Sequence, residues 1–459
     1  MKWNFIYILF ISLPLANIIH ESGELSEFLG GHSPGSSYDN WVSHVTEGIA
    51  SDGFNDYGPD WLDVQTTGFG NYNKLEFGDP ILSYWEDIFS SFILGDTTLV
   101  DSLLQDSIES FYYELVVFED TVYNQIFHII REQLDTNFID LNQSDNDLDD
   151  VVGSFRNGWG MYIINPQATR EQVVIQVPHP CDDFIAPYIA IDIFLETNAF
   201  AFMINGAGRE VLWTEVGNYS NSKSLSDPSR YPNTIFQKFQ EVAVHPLIGI
   251  NPHWPLVFAI HSFDNESHED RKSIIVAAGG QNSFTTKPIR DITDDHFDII
   301  NFTSEYPIDE GQFGNTNSLH VTDYYEVFYD DHCVFDNGET EFPITLATEL
   351  KGPSNGVQMV DLQNLTSNFS VYEPWIHIEL DEKPMLFDSI GISNDSIYQN
   401  GSYPTGIQNF SQIREYYQPF IHGLNSYLTH WETVSDQGAP DSIEFITAYN
   451  VDNSDEVYM

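Results

Sequence analysis

The chain has 459 residues, a formal net charge of −54, 41% hydrophobic and 14% aromatic residues, and two cysteines. That much apolar material builds a packed core and excludes wholesale disorder. A chain this acidic repels phosphate backbones and anionic lipid, which argues against nucleic acid and membrane surfaces as partners. Cys181 and Cys333 are too few for a disulfide framework and allow one bridge at most.

In chain order, Lys2 precedes an apolar run from Phe5 to Leu15 that closes on Pro14 and Ala16. This pattern predicts an export signal over residues 1–20 and a secreted, periplasmic or extracellular protein. No later stretch has the apolar length of a membrane span. Residues 21–150 form an acidic, partly helical N-terminal region. Its first part, to about Asp79, is rich in Gly, Ser and Asp and weakly periodic. From Pro80 to about Thr136 the spacing of Ile108, Phe111, Tyr112, Leu115, Phe118, Val122, Ile126, Ile129 and Ile130 predicts a helical layer. The acidic run Asp145–Asp150 begins like a calcium loop. It lacks the glycine at the sixth position and carries Arg156 where a bidentate Glu is needed, so it reads as a solvated boundary.

Residues 151–435 alternate strand-like apolar runs with helical stretches. Runs fall at Val173–Val177, Ala199–Ile204, Leu256–Ile260, Ser273–Ala278, Ile344–Thr348 and Trp375–Leu380. Helices are predicted over Asp182–Glu196, Asn233–Val244 and Ile413–Trp431. Near-continuous apolar strands separated by helices predict an α/β fold, a three-layer α/β/α arrangement around a mostly parallel mixed sheet. The stretch from about Asp291 to Phe342 reads as an insertion, and 436–459 as a polar tail.

Active groups of open α/β sheets gather at the carboxyl ends of strands. The first run ends in Val-Pro-His179-Pro-Cys-Asp182-Asp183, where a histidine and a carboxylate at a bend can converge on one ion. His261 follows the run Leu256–Ile260. On the last run, His377 and Glu379 share a face. Two histidines and one carboxylate leave a fourth position for water, the pattern of a catalytic zinc site. A glutamate beside it serves as general base. Gly31-His-Ser33-Pro-Gly35 matches a nucleophile-elbow pattern but has neither the strand before it nor the helix after it that a serine hydrolase needs.

These segments resemble the zinc carboxypeptidase-type hydrolases and the related amidohydrolases that act on N-acyl amino acids, such as N-formylglutamate, succinylglutamate and poly-γ-glutamate hydrolases. The resemblance spans roughly Gly158 to Pro384. It implies Zn2+ as cofactor, a small-molecule or peptide substrate, His179, Asp182 and His261 as metal ligands, and Glu379 as general base. It further implies Arg209, in Asn205-Gly-Ala-Gly-Arg209, as the group that holds a substrate carboxylate or oxyanion. Arg230, Asn355 and Gln358 become further substrate contacts. Asp182 stands where the family carries Glu, and Asp183 competes for the role. The other reading is a secreted binding protein that keeps the fold without catalysis; metal content separates the two.

Overall fold

The computed structural model describes residues 18–30, 72–106, 111–133, 139–140, 151–152, 157–180, 183, 185–207, 225–229, 231–247, 255–263, 274–277, 327–329 and 375–381, with helical residues at 417–418, 420–425 and 428–429. Strand β1 (Ile19–Gly23) leads into the short helix α1 (Leu25–Gly30). Helix α2 (Pro80–Ile93) starts where the Asp79 carboxylate accepts from the Ile81 N–H and Pro80 sets the first turn; it stops at Gly95, whose φ of 72° no further helical turn permits. Helix α3 (Thr97–Asp106) follows, then the antiparallel pair β2 (Tyr113–Asp120) and β3 (Gln125–Glu132).

The helical layer expected as far as Thr136 therefore ends at α3. Alternation of buried and half-buried positions in β2 satisfies a period of two as well as the helical spacing does, and tertiary pairing decides between them. Asp120 makes the reversal: its carboxylate accepts from the N–H groups of Val122, Tyr123 and, from α1, Leu25, while Asn124 takes a φ of 53°. The loose reading of residues up to 79 also gives way in part, because Tyr72 and Leu75 lie in the core.

The remaining strands are β4 (Ile139–Asp140), β5 (Val151–Val152), β6 (Met161–Ile164), β7 (Arg170–Val177), β8 (Ala199–Ile204), β9 (Leu256–Phe263), β10 (Ile274–Ala277), β11 (Val327–Tyr329) and β12 (Trp375–Asp381). Helix α4 (Ala186–Glu196) lies between β7 and β8, and α5 (Ile235–Val244), capped by Thr234, between β8 and β9. Ten strands form one mixed sheet in the order β1-β2-β3-β6-β8-β7-β9-β12-β10-β11, while β4 and β5 pair separately. Its centre, β8-β7-β9-β12, is parallel; β6 and β10 run antiparallel to their central neighbours. The sheet is continuous across the acidic run at 145–150, since β3 pairs with β6.

Register gives the two faces different roles. Tyr162, Met203, Gln176, Ala259 and His377 stand abreast on β6, β8, β7, β9 and β12. On that face Tyr162 meets Phe89 of α2 and Phe239 of α5, with ring centroids 4.8 and 4.9 Å away, and the Gln176 amide donates to Gln240 of α5. The alternate row Ile163, Phe202, Ile175, Phe258 and Ile376 includes Phe202, which packs on Phe194 of α4. Burying both faces explains why these strands read as unbroken apolar runs. Among the described residues, no helix is long and apolar enough to cross a membrane.

Candidate metal centre

The carboxyl ends of β7, β9 and β12 bring three histidines into one buried cluster. His179 lies two residues beyond β7. His261 on β9 is paired in register with Glu379 on β12, and His377 precedes Glu379 by one strand period. The local reason for the first bend is Pro178 and Pro180, which end the ladder at Val177; the Asp183 N–H then donates to the His179 carbonyl in the turn that opens towards α4.

Asp183 is the carboxylate that meets both imidazoles. Its Oδ2 lies 2.7 Å from His261 Nδ1 and 3.4 Å from His179 Nδ1, the latter an ion-pair distance without hydrogen-bond alignment. His179 Nε2 is 3.0 Å from Asp227 Oδ1. The planes of the His179 and His261 rings are inclined by 67° with centroids 4.9 Å apart. His377 Nε2 lies 2.8 Å from Glu379 Oε1, and the His377 ring stacks on His261 with centroids 4.2 Å apart and planes 21° from parallel.

The charges follow from these contacts. Burial alone would strip the proton from His179, but Asp227 and Asp183 outweigh it and push the imidazolium up to about 10. Burial also disfavours the Asp183 carboxylate, and the neighbouring His179 and His261, the latter through its hydrogen bond, hold it well below the ordinary range. Burial, with repulsion between protonated neighbours and against the pull of Asp183, brings His261 down to about 4; burial brings His377 down to about 3. At neutral pH the cluster thus holds one imidazolium and two neutral imidazoles.

Among the described residues, two overlapping groups have ligating atoms within metal reach of one another: His179, Asp183 and His261, and His261, His377 and Glu379. Ring geometry separates them. Ligand atoms at about 2.0–2.2 Å from a tetrahedral ion sit roughly 3.3–3.5 Å apart, close to the 3.4 Å between His179 Nδ1 and Asp183 Oδ2. The 2.7 Å contact of His261 widens by less than about 1 Å to match. Asp227 completes this group, because a ligating histidine donates its other ring N–H to a carboxylate that fixes tautomer and orientation. In the second group the stacked rings of His261 and His377 have nearly parallel planes, so an ion in the plane of one lies well outside the plane of the other. The first group fits an ion with nitrogen and oxygen ligands; the second is a hydrogen-bonded pair beside it.

Of the residues expected from sequence, the structure brings His179, His261 and Glu379 together. Asp183, the competitor of Asp182, brings its carboxylate to both imidazoles; Asp182 lies outside the described residues, as do Arg209, Arg230, Asn355, Gln358, Cys181, Cys333 and the acidic run at 145–150. A segment just before the expected Arg230 contributes Asp227, for which no spacing rule gave a signal. Asn205, at the end of β8, supports that segment by donating to the Ser226 carbonyl. No protein-family model and no curated protein matches the chain.

Proposed function

We propose that the chain is an exported zinc-dependent hydrolase that cleaves an amide bond, in a peptide or an N-acyl amino acid, on a three-layer framework resembling the zinc carboxypeptidases and N-acyl-amino-acid amidohydrolases. The observation that carries this reading is the convergence of His179 Nδ1, Asp183 Oδ2 and His261 Nδ1 at the carboxyl edge of a parallel sheet, with Asp227 behind His179. Two imidazoles and one carboxylate suit zinc and leave a coordination position for water or substrate.

A zinc ion held there supplies Lewis-acid polarisation of the scissile carbonyl and a water of lowered pKa. Glu379, on the strand beside His261, takes a proton from the attacking water and returns it to the leaving nitrogen. A C–O bond forms, the C–N bond breaks, and the carboxylate ends as it began. Asp227 keeps Nδ1 of His179 directed at the ion, and neutral His261 needs no deprotonation to ligate.

The test is elemental analysis of the purified protein, followed by a screen of N-acyl amino acids and peptides with and without chelator. About one zinc per chain and chelator-sensitive amide hydrolysis are expected. Glu379→Gln keeps the zinc and loses roughly 100-fold or more in turnover, since it removes the base and not a ligand. Absence of metal, or full activity of that variant, overturns the assignment.

A further inference from the structure

His377 has no task in the reaction just described, yet it is 3% exposed and held on three sides. His261 covers one face of its ring, Trp375 lies 5.6 Å away on the same strand face, and Nε2 is tied to Glu379. A neutral imidazole carries one proton, and with Glu379 accepting it as the carboxylate of the proposed base, that proton sits on Nε2. Nδ1 is then a bare acceptor. It is buried and has no hydrogen-bond partner among the described residues, an arrangement that costs free energy unless a ligand supplies the missing donor. Turning the ring over to satisfy Nδ1 would break the bond to Glu379, so the bare nitrogen is held in place beside the proposed base.

We propose that His377 contacts substrate, its Nδ1 accepting the N–H of the amide that is cleaved, so that the site selects secondary amides over esters and tertiary amides. This rests on the zinc-hydrolase reading and adds the substrate class to it. A site built to accept a hydrogen bond discriminates against an analogue lacking the donor, because its buried acceptor is left unpaired. His377 is not a metal ligand here, as its stacking on His261 requires.

The experiment uses the full zinc-loaded chain and two probes that chelate zinc alike: acetohydroxamate, which has an N–H, and N-methylacetohydroxamate, which has none. Binding is followed calorimetrically, with zinc content measured on every sample. The expected result is at least about tenfold tighter binding of acetohydroxamate by the native chain. The preference collapses to about twofold or less in His377→Phe, which keeps the ring stack and loses the acceptor. His377→Asn, whose Oδ1 can take the place of Nδ1, restores part of it. Zinc stays at one per chain throughout. A native chain that binds both probes equally or binds neither while holding zinc, or a preference that survives in His377→Phe, overturns the role of His377. Loss of zinc in the His377 variants overturns it too, by making His377 a ligand. A native chain that holds no zinc overturns the hydrolase reading itself, a distinct outcome.

Discussion

His179 sits between two carboxylates, and its charge governs how an ion enters. With Asp227 on Nε2 and Asp183 facing Nδ1, it is an imidazolium up to about pH 10. An ion that takes Nδ1 must expel that proton. His261 is already neutral, and it frees Nδ1 by moving its proton to Nε2 with no net release. Zinc uptake near pH 7 is therefore expected to release about one proton per chain, and the apparent affinity to rise about tenfold per pH unit until pH approaches 10. Calorimetry in two buffers of different ionisation enthalpy measures the number. Zero protons released would show that His179 is neutral before the ion arrives.

Among the described elements, β1 owes its place to a charge. It lies at the sheet edge, parallel to β2, and is fastened by Arg131 of β3. The guanidinium is fully buried and bonds Glu21 of β1 through both terminal nitrogens, at 3.0 and 2.7 Å, and Glu114 of β2 at 2.7 Å, with Phe28 under it at 5.3 Å. Glu21→Ala removes two charge-assisted hydrogen bonds and leaves the buried guanidinium to Glu114 alone, so it is expected to cost about 1.5–3 kcal/mol in urea unfolding. A loss below about 1 kcal/mol would show that β1 is dispensable to the sheet. This fastening bears on the export signal expected over residues 1–20: β1 pairs from Ile19, so a processed chain that keeps its whole edge strand begins no later than that residue. A second junction needs glycine. The backbone of Gly158–Gly160 lies so close to that of Ile204–Gly206 that a Cβ on Gly160 would meet the Ile204 carbonyl oxygen at 2.1 Å. This contact braces the end of β8, next to the loop that carries Asp227.

For the whole molecule, self-repulsion from a net charge of −54 adds to the chain entropy that opposes the core. Raising monovalent salt from roughly 0.01 to 1 M shortens the screening length from about 30 to 3 Å. The midpoint of thermal unfolding is expected to rise by several degrees over that range. A midpoint that falls would mean that attractive ion pairs, such as those of Arg131, outweigh the repulsion. The core that resists it is aromatic and shared by both halves of the chain: Trp85 of α2 packs on Tyr113, Trp159 and Tyr162, while Phe89 meets Phe239 of α5.

Local signals in the sequence determined the central strands and the helices between them. Val173–Val177, Ala199–Ile204, Leu256–Ile260 and Trp375–Leu380 are apolar on both faces and sit close to the observed strands, because burial on both sides leaves a mark that needs no knowledge of the neighbours. His179, His261 and Glu379 were legible for the same reason, each placed by its position at a strand end. Tertiary structure decided the rest. The hairpin of β2 and β3 follows a pattern that suits a helix as well as a strand until β1 and β6 pair with it. The contact of Asp183 with both His179 and His261 depends on where the turn into α4 points. Asp227 comes from 48 residues away, and the parallel planes that separate His377 from His261 as a ligand exist only once β9 and β12 lie side by side. Spacing along a chain records which face a residue takes; which distant group meets it there is set by the packing of the sheet and the loops at its edge.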